Sequence, residues 1–202
     1  WIFWVLFVLL GVGLPIARTL TMDMPARVPV VEKAGNFRLV NQYGQAYGSA
    51  ELKGKVWVAA MMCTECPYAS AEFTTRLTKV QHRSRGLADQ FRLVSFSMDP
   101  ESDTPTVLLK HAEEHKASRG RWVFLTGPTE LVKQAIAQTF GREAPRKKRG
   151  EAAMKGFNSA KSYVIALVDQ RMRVRGYYDS RDNASIDDLM RDIGLVINLS
   201  EK

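Results

Sequence analysis

The sequence predicts an α/β domain in which a central mixed sheet is flanked by helices, and three observations support this prediction. Short runs rich in β-branched and aromatic residues alternate with longer amphipathic segments along most of the chain. Two late β-prone runs flank Asp169-Gln-Arg171, as the strands of a hairpin would. The only two cysteines, Cys63 and Cys66, lie where an apolar run gives way to a helix-like segment.

The first half of the domain is predicted to be strand, strand, helix and strand. The apolar run over 56–62 is typical of a buried central strand. The segment after it places Phe73, Leu77 and Val80 on one face, as an amphipathic helix does. Turn-forming residues separate the elements. The predicted bounds are strands over 37–40, 56–62 and 91–98, turns at 41–44 and 52–55, and a helix over 67–85.

The second half is predicted to be helix, strand, helix, hairpin and helix. Thr104 and Pro105 supply a hydroxyl N-cap and a proline at the first helical position. Gly141 follows the next helix, where a terminating glycine is expected. This order indicates a thioredoxin-like fold. The predicted bounds are helices over 104–118, 129–140 and 185–196, and strands over 122–125, 163–168 and 173–178.

The N-terminal residues predict a membrane anchor. Residues 1–14 carry no charge, and the apolar run extends to Arg18. A full span needs roughly 20 apolar residues, so the run is short, and a secretory signal peptide is the alternative. A buried core helix is disfavoured because every face is apolar. We expect residues 1–20 to be a transmembrane anchor that packs against helices of a larger membrane assembly, 21–35 an extended linker and 36–202 the folded domain.

Length and charge limit the class of protein further. The chain has 202 residues and a formal net charge of +8, which suits one domain with a proper core. The basic run Arg146-Lys-Lys-Arg149 lies in an irregular stretch. A solvated loop and a docking patch for an acidic protein or lipid surface are both open there. Nucleic-acid binding is not expected outside the cytoplasm.

The cysteine pair is the principal candidate site. Cys63-Thr-Glu-Cys66 lies between a strand and the start of a helix, where backbone N–H groups and the helix dipole stabilise a thiolate. Three interpretations are open: dithiol–disulfide exchange, Cu(I) binding by the two sulfurs, and an inert pair. Met61 completes a Met-x-Cys-x-x-Cys pattern that is similar to that of small copper chaperones. Strand alternation should turn Met61 away from the face of Met62.

Several segments, taken in order, resemble the SCO/SenC family. They are Phe37-x-Leu-x-Asn-Gln-x-Gly44, Leu52-Lys-Gly-Lys55, the stretch from Phe91 to Thr104-Pro105, Arg121-Trp-Val-Phe-Leu-Thr-Gly127 and Arg175-Gly-Tyr-Tyr-Asp179. The resemblance implies a membrane-tethered thioredoxin-fold protein. Members of this family deliver copper to the binuclear copper site of cytochrome c oxidase, or keep its thiols reduced.

The metal-site residues depart from the family pattern. That pattern is Cys-Pro-x-x-Cys-Pro with a distant histidine before a late strand. Aligned on Cys-Pro, Cys66 takes the first cysteine position, Ser70 stands at the second, and Lys161 falls at or near the histidine. A hydroxyl and an ammonium are poor ligands for Cu(I). The resemblance therefore implies that the usual copper site is lost, and Lys161 could instead lower a thiol pKa or mimic the missing positive charge.

Two other groups of polar residues are candidate sites. His111 and His115 have metal-ligand spacing on a predicted helix, but without a third ligand a solvated helix face is the preferred interpretation. Asp99, Glu101 and Asp103 form an acidic loop whose expected role is turn formation and N-capping.

We expect an accessory subunit or assembly factor of a haem–copper oxidase-related membrane complex. Its partners would be subunits of that complex, reached through the N-terminal helix, and the lipid bilayer. The anchor would lie in a bacterial inner membrane with the domain in the periplasm. No resident cofactor is expected, and Cu(I) is the candidate metal. The alternative is an active copper chaperone or thiol–disulfide reductase that uses Cys63 and Cys66.

Overall fold

The computed structural model describes residues 28–65, 70–141 and 163–198. Eight strands and five α-helices lie within these residues. A 3₁₀ helix, Arg85–Gln90, precedes β5. In chain order the elements are β1 Glu32–Lys33, β2 Arg38–Asn41, β3 Ala46–Gly48, α1 Ser49–Leu52, β4 Val56–Met62, α2 Ser70–Arg83, β5 Phe91–Ser97, α3 Pro105–Glu114, β6 Trp122–Thr126, α4 Thr129–Phe140, β7 Val164–Val168, β8 Arg173–Asp179 and α5 Asn183–Asn198.

All eight strands form one mixed sheet in the order β1-β8-β7-β4-β5-β6-β2-β3. Strands β4, β5 and β6 are parallel, and β7 runs antiparallel to β4. The carboxyl ends of the three parallel strands, at Met62, Ser97 and Thr126, therefore meet at one end of the sheet, together with the start of β7. We call this the cysteine end, because Cys63 follows Met62 directly.

Each face of the sheet has its own hydrophobic core. Val58, Ala60 and Met62 of β4 belong to the core beneath α2, α3 and α5, whereas Met61 belongs to the opposite core beneath α4. The alternation of side chains along a strand produces this division. Every residue of β4 is buried, so the strand has no solvent-facing side, as its continuous apolar sequence predicts.

Most predicted elements are confirmed, including β4 and α4 with their predicted bounds. The hairpin around Asp169 is also present. The helix that begins after Thr104 ends at Glu114 rather than at residue 118. Its end is set by Lys116, which adopts a left-handed φ of 53° that no α-helix can contain. The short edge strands β1 and β3 have no clear signal in the sequence.

The segment assigned to a linker over 21–35 is partly described, and several of its described residues pack on the domain. Glu32 and Lys33 form β1 against β8, and Val28 and Ala34 are buried. Arg175 donates a hydrogen bond to the Val28 carbonyl. None of the helices in the described part of the chain is long and apolar enough to cross a membrane. The predicted anchor, residues 1–20, lies outside the described residues.

The N-cap of α3 provides a stability prediction. The Thr104 side chain accepts a hydrogen bond from the Val107 backbone N–H, as the sequence predicts. We expect Thr104→Ala to lower the free energy of unfolding by about 1 kcal/mol, because an orphan helical N–H loses its acceptor. Thr104→Ser keeps the hydroxyl and should stay close to wild type. Urea denaturation of the three proteins checks this, and equal stabilities would contradict it.

Candidate functional site at the cysteine end

Cys63 lies at the end of the buried strand β4 and is itself buried, with 1% of its surface exposed. The Met98 backbone N–H donates to the Met62 carbonyl over 2.7 Å, which extends the parallel pairing to the last residue before the cysteine. Cys63 is disulfide-bonded, and the chain has only one other cysteine, Cys66. Cys63 therefore follows directly on the last paired residue of β4.

Asp103 fixes the residue that follows Cys63. Its buried carboxylate accepts hydrogen bonds from the Thr64 hydroxyl over 2.5 Å and from the Thr64 backbone N–H over 3.2 Å. The second carboxylate oxygen accepts from the Ser97 hydroxyl over 2.5 Å. The carboxylate thus joins residues 63–65, which we call the cysteine loop, to the end of β5 through charge-assisted hydrogen bonds, which are the stronger kind.

This arrangement corrects the role expected for the acidic loop. Asp103 does not cap α3, because Thr104 does. The loop does form a turn, since the Asp103 N–H donates to the Asp99 carbonyl and the Asp99 N–H donates to the Ser97 hydroxyl. The contact between Asp103 and Thr64 joins residues 39 positions apart. The local sequence holds no signal for such a contact.

Tyr163 directly precedes β7 and lies at the cysteine end. Its ring packs edge-on against Phe73 of α2, with 6.2 Å between centroids. The Arg181 guanidinium lies over the same ring, 5.0 Å from its centroid. Arg181 is in turn paired with Asp179, and this pairing lowers the pKa of the Asp179 carboxyl. An aromatic ring and an ion pair therefore border the start of β7.

The structure describes only some of the other predicted site residues. It does not describe Cys66, Lys161, the basic run from 146 to 149 or the side chain of Ser70. Met61 is fully buried in the core beneath α4, on the opposite face from Met62, as strand alternation predicts. Among the residues that the structure describes, no group of three or more metal-ligating side chains converges.

The two histidines at the C-terminal end of α3 are less exposed to solvent than the sequence predicts. His111 is buried, with 7% of its surface exposed. Its Nε2 lies 3.4 Å from the Thr74 hydroxyl of α2. His115 is half-buried, and its ring centroid lies 4.4 Å from that of His111. The i, i+4 spacing in the sequence indicates that the two residues share one face of the helix. The covering of that face by α2 depends on the tertiary packing.

The buried imidazole predicts a pH dependence of stability. Burial, with a smaller contribution from His115, lowers the pKa of His111 from 6.5 to about 4. The unfolded chain therefore binds more protons than the folded one between these values, and stability falls as the pH drops from about 6.5 to about 4. At 1.36 kcal/mol per pKa unit the loss amounts to roughly 3 kcal/mol.

Urea denaturation from pH 4 to 8 in the presence of EDTA measures this dependence. The quantity compared is the difference in stability between wild type and His111→Gln, because carboxyl groups common to both proteins then cancel. We expect the advantage of wild type over the variant to shrink as the pH falls. A difference that stays constant with pH would contradict the prediction, and His82→Gln, at an exposed histidine on α2, serves as the control.

The fold and the site define a thioredoxin-like protein with a cysteine pair at the carboxyl end of a central strand. The SCO1/SenC family model matches residues 28–197, and the chain belongs to this family. A SCO1 protein homolog of Bacillus subtilis (strain 168) is 29% identical over 157 residues, which are 78% of this chain and 79% of that protein.

Solved structures agree with the family assignment. A SCO1/SenC family lipoprotein from Bacillus anthracis superposes with a TM-score of 0.70 at 26% identity, over 86% of this chain and 99% of that one. BsSco, described as a Sco-family cytochrome c oxidase assembly protein with a disulfide switch, gives 0.69 at 26% identity, over 84% and 96%. Copper-bound ScoI of Bradyrhizobium japonicum shares the fold, with a TM-score of 0.58 at 22% identity, over 79% and 98%.

Proposed function

We propose that this protein is a membrane-anchored accessory subunit or assembly factor of a haem–copper oxidase-related complex, in which the SCO/SenC scaffold acts as a docking module. Its membership of a family concerned with cytochrome c oxidase assembly and copper handling supports the choice of complex. The apolar run at residues 1–14 supports the anchor. In this proposal the domain faces the periplasm and contacts other subunits of the complex.

One observation carries the proposed loss of the copper site. Ser70 and Lys161 stand at or near the positions where the family pattern has its second cysteine and its histidine. Cu(I) prefers thiolate, thioether and imidazole ligands, and an ammonium group repels a cation. The three histidines of the chain lie elsewhere: His82 on α2, and His111 and His115 on or just after α3. The usual set of two thiolates and one imidazole is therefore incomplete.

A genetic rescue experiment tests the docking role. The gene is deleted in the native host, and oxidase activity and the assembly of the complex are measured on native gels. We expect the wild-type gene and the Cys63→Ser/Cys66→Ser double variant to restore assembly equally, because docking does not need the sulfurs. A double variant that is present at wild-type level but fails to restore the oxidase would refute the docking-only role.

The second candidate function is thiol–disulfide exchange or Cu(I) transfer by Cys63 and Cys66. The disulfide at Cys63 favours it, and so does the position of the pair between β4 and α2, where a thiolate is stabilised. The BsSco relative is described as having a disulfide switch, which makes the same chemistry a reasonable hypothesis here. This function would be favoured if the Cys63→Ser/Cys66→Ser variant failed to rescue the oxidase and the reduction potential of the cysteine pair lay near that of the periplasm.

A further inference from the structure

We propose that His111 and His115 form a two-imidazole binding site for a divalent first-row transition-metal ion, separate from the cysteine pair. The two residues lie one turn apart at the C-terminal end of α3, with His115 as the C-cap residue. Their ring centroids are 4.4 Å apart and the ring planes are inclined by 47°. Ring nitrogens that each lie about 2.0–2.1 Å from one metal ion must belong to neighbouring rings, and this separation is compatible with a shared ion.

The ring of His111 is held in place before any ion binds. It packs edge-on against Phe124 of β6, with 5.7 Å between centroids. Its Nε2 lies 3.4 Å from the Thr74 hydroxyl, which leaves Nδ1 as the nitrogen for a metal ion. A ligating imidazole commonly uses its other ring nitrogen for such a contact, and the contact fixes the orientation of the ring. His115 is half-buried and gives the site access to solvent.

Negative groups near the two rings partly offset the cost of placing a cation in a largely buried site. The C-terminal end of a helix carries a partial negative charge from its unsatisfied carbonyl groups. Asp103 and Glu114 act on His111 as negative charges, and burial and His115 have the larger, opposite effect on a positive charge there. Glu114 is only loosely paired with Lys110, at 3.8 Å. Imidazole nitrogen suits Cu(II), Zn(II) and Ni(II), and Cu(II) forms the strongest complexes of the three.

The site is distinct from the cysteine end and from the proposed function. Helix α3 begins near the cysteine end and rises about 1.5 Å per residue, so its last turn lies roughly 10–15 Å along the helix from its start. Within the described part of the chain no third protein ligand joins the pair. Water would fill the remaining positions, so the bound ion would exchange readily.

Titration of the full, untagged, oxidised chain with Cu(II) tests the proposal. Equilibrium dialysis measures the bound copper, and electron paramagnetic resonance reports its nitrogen ligands. We expect one equivalent of Cu(II) coordinated by two imidazole nitrogens. His115→Gln removes one arm of a chelate, so it should weaken binding by roughly a hundredfold. His82→Gln is the matched control at the exposed third histidine and should leave the affinity unchanged.

The outcomes separate this site from its alternatives. Affinity that is unaffected by His115→Gln, or that is lost with His82→Gln, would overturn the proposal, as would the absence of stoichiometric binding. His111→Gln should reproduce the loss, provided that circular dichroism shows a folded protein. The test remains decisive without this variant, because His115 is half-buried and its replacement is tolerated more easily than that of a buried residue. Rescue of the oxidase by the Cys63→Ser/Cys66→Ser variant has no bearing on the result.

Discussion

Placing a cysteine at position 70 and a histidine at position 161 is expected to raise the affinity for Cu(I) by about two to four orders of magnitude. Ser70→Cys supplies a second thiolate three residues beyond Pro67, and Lys161→His replaces a repelling ammonium with an imidazole. Both ligands suit a soft monovalent ion. They are also tethered to the same chain as Cys66, so their binding is intramolecular.

Competition with a chromophoric Cu(I) chelator under reducing conditions measures this gain. The matched control is Ser70→Ala/Lys161→Ala, which removes the hydroxyl and the charge without adding a ligand. We expect a small change at most in the control. If wild type already binds Cu(I) as tightly as Ser70→Cys/Lys161→His does, the pair Cys63/Cys66 suffices as a site. The proposed loss of copper binding is then refuted.

Removal of the Asp103 carboxylate is expected to lower the free energy of unfolding by about 2–4 kcal/mol. Asp103→Ala leaves the Thr64 hydroxyl, the Thr64 N–H and the Ser97 hydroxyl without their acceptor. The site is buried, so water replaces the lost bonds poorly. The effect should concentrate at the cysteine loop, because Thr64 is the residue that the carboxylate fixes.

Two readouts check this prediction. Urea denaturation gives the global stability, and hydrogen exchange of the Thr64 amide, which should become faster, reports the loop. Glu101→Ala is the matched control on the same loop, since Glu101 is exposed and should change stability by no more than about 0.5 kcal/mol. Asp103→Asn keeps an acceptor for Thr64 and should fall between the two. Equal stability of Asp103→Ala and Glu101→Ala would contradict the assigned role.

Local patterns in the sequence were sufficient to predict the main elements of the fold. The continuous apolar run of β4 marks a strand buried on both faces, and the cap formed by Thr104 and Pro105 marks the start of α3. The hairpin around Asp169 follows from a short turn between two β-prone runs. Such signals depend on residues within a few positions of one another, so they can be recognised without any tertiary information.

The edges of the sheet could not be predicted in the same way. Strand β1 has only two residues, Glu32 and Lys33, and exists because β8 offers an unpaired edge more than 130 residues further along the chain. Neither residue has a preference for strands that would signal it. The burial of Val28 and the hydrogen bond from Arg175 to its carbonyl likewise depend on a distant partner.

The order of strands and helices, the position of the cysteine pair and the departures at Ser70 and Lys161 can all be recognised from residue identity and short-range spacing. In contrast, the hydrogen bond from Thr64 to Asp103 and the burial of His111 against α2 and Phe124 depend on how the domain packs. These contacts join residues that are distant in the sequence and are brought together by the fold. Their energies depend on burial, and burial is a property of the packed domain rather than of any local segment.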